Sequence, residues 1–328
     1  MRIAQESEHP LLVVGVDDTD DLSKETSTGA IAQSIADAAV ALGGSLRLGV
    51  TRHQLLLSEE VSYTSHNSSM VFEAFFPADK VNLLYEKAQV LIAELCAPTS
   101  NPGLCVAVLP AVQESPDFSR ELDRLITFGE QAKIRYCAIK EAYQLAESIS
   151  WLRLLSCGGD ETGVVGALAG VGLRLGGNDG RFRGKDRLSS LLLAEDSCTV
   201  DSAVHALEAA VSGPVLVFDT DGSPLNLETT LYVRKEVKPV LRSSALTIIC
   251  ELKDGIAYPC ANDDIKAMAS TSAALGAVCD DFEWDNDSEE CTDKIKSCRN
   301  CLYRRWQAND FSCIKMNQDA DSYVGSKG

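Results

Sequence analysis

The 328-residue chain has no apolar run near the roughly 20 residues that cross a bilayer. Its start, MRIAQESEHP, lacks the apolar stretch of a secretory signal. Both absences point to a cytoplasmic protein with no membrane partner. Walker A, G-x-G-x-x-G and G-x-S-x-G patterns are also missing, which argues against P-loop, Rossmann and hydrolase readings. Positive charge is scarce: 30 Lys and Arg against 48 Asp and Glu leave a net charge of −18. A protein that grips nucleic acid by bulk electrostatics needs clustered cations, so any such contact here has to be local. No internal repeat of about 20 to 50 residues is visible.

The hydrophobic content of 45% is enough for a sizeable core, and the length accommodates two or three domains. Most of the 12 cysteines sit singly in apolar segments such as LCVAVLP, IRYCAIK and LTIICEL, and read as reduced core residues. LLVVGVD, residues 11–17, fits a buried strand and is followed by the acidic loop DDTDDLSKETSTG. In IAQSIADAAVALGG, Ile31, Ile35, Ala39 and Leu42 form one helical stripe that Gly43 ends. Strands at SLRLGVTRHQLLL, MVFEAFF and LCVAVLP, with a helix at KVNLLYEKAQVLIAELC, complete the order β-α-β-β-α-β of a ferredoxin-like sandwich. Helical stretches from Arg120 to Ser148 and a Gly-rich, apolar, helical-looking segment close this domain. A helix at VDSAVHALEAAV and strands at PVLVFD, TTLYVRKEV and SALTIICEL form a smaller α+β unit. The predicted organisation is therefore α+β: a ferredoxin-like, kinase-like domain over 1–190, a small ferredoxin-like or OB-like unit over 191–265, and an acidic Cys-rich tail over 266–328.

Asp17, Asp18 and Asp20 fall at the end of the first strand, where three carboxylates repel one another unless a cation or hydrogen-bond donors compensate them. Mg²⁺ suits such a set, because it takes one or two carboxylates together with substrate phosphates. Thr19, Ser27 and Thr28 add hydroxyls, and Gly29 at the following helix start adds backbone N–H groups for phosphate. A tight turn with an N-cap would use the same residue types. Gly163, Gly166 and Gly170 interrupt an apolar helix at a cost of about 1 kcal/mol each, so close packing or ligand approach has to justify them. The nearby Arg181, Arg183, Lys185 and Arg187 suit charge pairing with phosphate.

VGVDDTDDLSKETSTGAIAQSIA resembles the N-terminal signature of the archaeal tRNA-isoleucine 2-agmatinylcytidine synthetase family: G-I-D-D-T-D, a short loop, T-T, then a helix. GVVGALAGVG at 163–172 is similar to that family's G-L-I-G-A-L-A-A-I-G. YTSHNSSMVFEA resembles its stretch ending R-G-N, with Asn67 matching the Asn. Over residues 11–185 the resemblance implies a kinase-like domain that uses ATP and Mg²⁺ to activate a tRNA cytidine before the amine agmatine attacks. Asp17, Asp18 and Asp20 then correspond to metal and phosphate ligands supported by Thr19, and Ser27 or Thr28 to the loop threonine. Thr162 stands where the family has an arginine.

VLVFDTDGSPLN, 215–226, resembles the first motif of haloacid dehalogenase-type phosphatases, but the lysine and paired acids needed downstream have no placement. A hairpin turning at Asp221-Gly222 is expected instead. Cys291, Cys298, Cys301 and Cys313 read C-x6-C-x2-C-x11-C, a four-cysteine Zn²⁺ site, with an Fe–S cluster as the other metal reading. The site is expected to be structural, or an RNA-docking knuckle helped by Arg299, Arg304 and Arg305 beside Tyr303 and Trp306. His53 and His66 have no metal-pair spacing and are expected to be structural. The functional expectation is an enzyme transferring a phosphoryl or nucleotidyl group from ATP to a cytidine-like or small-molecule acceptor, with tRNA or a small amine as partner. The competing class is a catalytically silent nucleotide- or metabolite-binding regulator.

Overall fold

The computed structural model describes residues 9–20, 26–58, 61, 67–110, 117–183, 197–232 and 239–260, and the backbone of 304–306 and 311–313. Strand β1 (Leu11–Asp17) is buried along its whole length, as its unbroken apolar run requires, and lies between β3 (Ser68–Phe75) and β4 (Gly103–Val108), antiparallel to both. Beyond β3 lies β2 (Ser45–Gln54), and beyond β4 lies β5 (Leu152–Ser156), giving the order β5-β4-β1-β3-β2. The inner four strands follow the expected ferredoxin-like order.

Helices α1 (Thr28–Ala41) and α2 (Val81–Leu95) cover one face of the sheet. Leu12, Val14 and Val16 point to them and join Ile31, Ile35 and Ile92 in one core. The odd-numbered Leu11 and Val13 point the other way. A two-layer sandwich would leave that second face open to water. Here α3 (Phe118–Ile134), α4 (Ile139–Glu147) and α5 (Gly163–Gly176) cover it, so β1 sits in the middle of three layers. Helix α5 is buried on nearly every side, which glycines on both sides of its contacts permit: Cβ atoms at Gly170 of the helix, Gly15 of β1 and Gly129 of α3 would sit within 3 Å of neighbouring atoms.

The sheet continues past β2 through β6 (Arg181–Phe182). β2 carries a bulge between Arg47 and Thr51, with Leu48 at φ 64° and Gly49 at φ 88°. The bulge places Leu48 in a separate core with Phe182, Leu246 and Ile248. That core is built by α6 (Val200–Val211) and by β7 (Ser197–Thr199), β8 (Val215–Asp219), β9 (Thr230–Tyr232), β10 (Val240–Arg242), β11 (Ala245–Lys253) and β12 (Ile256–Pro259). The sheet totals 12 strands. Strands β13 (Arg304–Trp306) and β14 (Phe311–Cys313) pair as a separate hairpin. No helix among the described residues is long and apolar enough to cross a membrane.

Candidate active site

β1 delivers three carboxylates to one end of the sheet. Asp17 is the last residue of the strand and 7% exposed. Its carboxylate lies against α5 at Gly166, where any Cβ would overlap Oδ2. This glycine, singled out as a candidate ligand contact, admits the carboxylate to the helix surface. Gly163 lets the same helix approach Gly103 and Asn101. At Asp18 the chain turns through φ 51°, a left-handed conformation that Asp tolerates. Asp18 Oδ2 accepts from Asn101 Nδ2 at 3.3 Å and from Thr162 Oγ1 at 3.2 Å. Asp20 Oδ2 accepts from the Thr28 N–H at 3.1 Å, and Ser27 caps α1 by accepting from the Ala30 N–H at 3.3 Å. Thr19 is fully buried between these acids. Its carbonyl accepts from the Ala97 N–H at 2.9 Å, while its hydroxyl has no hydrogen-bond partner among the described residues.

The electrostatics are those of a site short of positive charge. Burial, then the charge of Asp18, pushes the Asp17 carboxyl well above the ordinary carboxylate range; a backbone hydrogen bond at Asp18 offsets part of this, and Asp20 adds to the rise. Burial also raises Asp18, against the hydrogen bonds from Asn101 and Thr162. Among the described residues no group of three or more His, Cys, Asp or Glu side chains is arranged to hold a metal ion. The three carboxylates are turned to three different partners. A cation drawing on one or two carboxylates and on substrate oxygens fits better than an all-protein cage, and that is the habit of Mg²⁺. The crowded Asp17–Asp18 pair and the orphaned Thr19 hydroxyl are the features a bound cation would relieve.

The first turn of α1 lies beside these acids, with its Thr28 N–H held by Asp20 and its Ala30 N–H by Ser27. The first-turn N–H groups of a helix have no partner within the helix, and α1 has no acidic residue in its first turn. Arg183 follows β6, where its N–H donates to the Val50 carbonyl at 2.8 Å. Its side chain lies over the first turn of α1, with Nε 2.6 Å and Cδ 2.9 Å from where a Cβ on Gly29 would sit.

No protein-family model matches the chain, and no curated protein matches it. Among solved structures it is similar to the apo form of TiaS, a tRNA agmatidine synthetase, at 21% identity and a TM-score of 0.40, over 49% of this chain and 35% of that one. It is similar to TiaS in complex with tRNA, AMPCPP and agmatine at 19% identity and 0.42, over 61% and 45%. It is also similar to TiaS in complex with tRNA and ATP at 15% and 0.43, over 75% and 82%. The chain thus spans less than half the length of the first two. At this identity and TM-score the likenesses carry no statement about activity.

The remaining candidates are more scattered. Asn67 is at the same end of the sheet, but its amide donates to the Leu56 carbonyl at 2.6 Å and closes the β2–β3 connection. Arg181 is a strand residue of β6, opposite Arg52 and Val240. Cys291, Cys298 and Cys301 lie outside the described residues, as do His66, Lys185 and Arg187. Cys313 ends β14, opposite Arg304. The D-x-D-G segment is a tight turn: Gly222, at φ 85°, donates to the Asp219 carbonyl at 3.1 Å, and Asp219 donates back to Ser223 at 2.9 Å. Asn101 is a site residue that sequence reasoning misses; an Asn-Pro step in a loop reads as a turn, and nothing local ties it to an acid 83 positions away.

His53 is better connected than its isolation in sequence implies. Its Nε2 lies 2.7 Å from Thr51 Oγ1 and its Nδ1 3.0 Å from Asp179 Oδ1. Arg174 Nη1 donates to Thr51 Oγ1 at 2.8 Å, the Thr51 hydroxyl also lies 3.3 Å from the Val71 carbonyl, and an ionised Asp179 accepts from His53 Nδ1. Glu73 Oε1 accepts from Arg47 Nη1 at 2.9 Å and Arg174 Nε at 3.0 Å, and Lys133 donates to Asp179. Every charge in this buried network has a partner, in keeping with the structural role expected of His53.

Proposed function

We propose that the chain is an ATP- and Mg²⁺-dependent enzyme transferring a phosphoryl or nucleotidyl group to a cytidine-like base or small-molecule acceptor such as an amine. The observation that carries this reading is the crowding of the like-charged Asp17, Asp18 and Asp20 at the end of β1, with Asp20 meeting the first turn of α1 at the Thr28 N–H. One side calls for a cation and the other for an anion. A metal-bound polyphosphate supplies both. Bound Mg²⁺ would neutralise charge on the phosphates. Asp17, Asp18 and Asp20 are its expected ligands, Asp20 also holding the Thr28 N–H at the start of α1. Catalysis on this reading is mainly positioning and electrostatics, as in phosphoryl transfer generally. Thr19 and either Ser27 or Thr28 would hold phosphate oxygens.

The proposal extends to the organisation expected above: catalytic residues within 1–190, a small unit over 191–265, and a metal-holding tail over 266–328. Its test is incubation with labelled ATP and Mg²⁺, with and without tRNA and small amines, following AMP, ADP, pyrophosphate and phosphate. Turnover in the wild type and none in Asp18→Asn is the expected result. ATP that fails to bind overturns the assignment of the loop.

One observation favours the second reading, a nucleotide-binding regulator without turnover. Thr162, at the arginine position of the resembled signature, spends its hydroxyl on Asp18 and offers phosphate no charge. ATP that binds with Mg²⁺ but is never consumed, with or without acceptors, is its expected outcome.

A further inference from the structure

The chain places a guanidinium where a helix alone would repel it. Arg183 lies over the first turn of α1, the positive end of that helix, within van der Waals range of Gly29. Its side chain forms no hydrogen bond or ion pair with any described residue. A cation stacked on a helix N-terminus is destabilising unless an anion lies between or beside the two. Among the described residues, the resident anion at that first turn is Asp20, whose Oδ2 is engaged by the Thr28 N–H.

The alternation along the β6 edge explains the placement. Phe182 pairs with Thr51, on the α5 side of the sheet, so the next residue turns to the α1 side beside Val50. Other arginines near the site are committed elsewhere. Arg174 is buried at 3% exposure and bonded to Glu73 and Thr51. Arg153 donates to Asn82 at 2.7 Å and lies over the Tyr85 ring. A second, independent sign of a missing ligand is the fully buried Thr19 hydroxyl, without a partner among the described residues, one position before Asp20.

We infer that Arg183 is the phosphate-binding arginine of this site, clamping the triphosphate of a nucleotide against the first turn of α1 and supplying the guanidinium that Thr162 lacks. Gly29 is its counterpart, because a side chain there would displace the guanidinium. This inference rests on the nucleotide reading above.

The experiment is calorimetric titration of the full chain with inorganic triphosphate and Mg²⁺, and separately with a non-hydrolysable ATP analogue and Mg²⁺, for the wild type, Arg183→Ala, Arg183→Lys and Gly29→Ala. Loss of a charge-assisted, two-point contact predicts affinity about tenfold or more weaker in Arg183→Ala, with partial recovery in Arg183→Lys. Gly29→Ala keeps the arginine, favours the helix, and is expected to weaken triphosphate in the same direction. Bound triphosphate should also shield Arg183 from an arginine-specific dicarbonyl reagent, read by peptide mass. If the wild type binds neither triphosphate nor the ATP analogue, the nucleotide reading itself fails. If it binds them and both Arg183→Ala and Gly29→Ala match it, only the role of Arg183 is overturned.

Discussion

Helix α5 carries buried charge at both of its ends and treats it in opposite ways. At its N-terminal end, Asp17 and Asp18 are crowded together, burial raises both carboxyls and pushes Asp17 well above its ordinary value, and the Thr19 hydroxyl has no partner among the described residues. At its C-terminal end, Arg174, Glu73 and Arg47 form a closed set, extended through Thr51 and His53 to Asp179 and Lys133. Folding tolerates both arrangements, but only the second is complete among the described residues. Buried charge left short of partners is the mark of a site awaiting a ligand, and buried charge fully partnered is the mark of an architectural joint.

The joint is where stability should be lost most easily. Glu73→Ala leaves Arg47 and Arg174 facing each other in a buried space, and breaking a buried pair from one side typically costs about 3–5 kcal/mol. Urea unfolding should show that loss, while affinity for Mg²⁺–triphosphate in the folded fraction stays unchanged. A change in that affinity would mean that the two ends of α5 are coupled. Gly166→Ala tests the other end. Its methyl overlaps the Asp17 carboxylate, so a destabilisation of about 1–3 kcal/mol should arrive together with loss of Mg²⁺-dependent nucleotide binding. Loss of stability without loss of binding would separate Asp17 from the site.

The contrast between the ends also marks what sequence could reveal. LLVVGVD and the stripe Ile31, Ile35, Ala39 are local patterns, and they place β1 and α1 where the structure has them. The three aspartates are legible for the same reason, being nearly contiguous at a strand end. β5 is not, because WLRLLS is short, only the first residue of the strand is buried, and it becomes a strand by pairing with β4. Asn101, the donor to Asp18, and Asp179, the partner of His53, belong to contacts spanning 83 and 126 positions. No periodicity encodes such distances. The glycines of α5 announce close packing, but not that the packed group at Gly166 is the Asp17 carboxylate.

Acid should act on the joint through His53. Burial, outweighing the nearby Asp179, lowers its pKa below the ordinary value, so the folded protein holds it neutral while the unfolded chain takes a proton near pH 6.5. Stability is therefore complete above about pH 6.5 and falls as pH drops toward the folded-state value, by at most about 1.4 kcal/mol per pH unit. Asp179, lowered by its bonds to His53 and Lys133 against the opposing effect of burial, loses its contribution with the same sign but only below the ordinary aspartate range. His53→Gln should flatten the slope that begins just below about pH 6.5 and leave the more acidic loss in place. An unchanged slope in that window would assign it to other groups.

Asp17→Asn has the smallest expected effect on stability and the sharpest sign. Desolvation and the neighbouring charges of Asp18 and Asp20 all oppose an ionised Asp17, and the amide that replaces it removes the charge while keeping nearly the same volume. The protein should become more stable at neutral pH by up to about 1 kcal/mol, as happens where a residue is kept for activity at the expense of the fold. Arg47, Glu73 and Arg174 offer no such gain, since each is held by an opposite charge. Thermal unfolding without divalent cation reads the effect. Adding Mg²⁺ and triphosphate should stabilise the wild type and fail to stabilise the variant, because a ligand that binds only the folded state raises its stability in proportion to its occupancy. If the variant is instead less stable than the wild type without ligand, the carboxylate is already compensated within the protein, and the N-terminal end of α5 belongs with the C-terminal end as architecture.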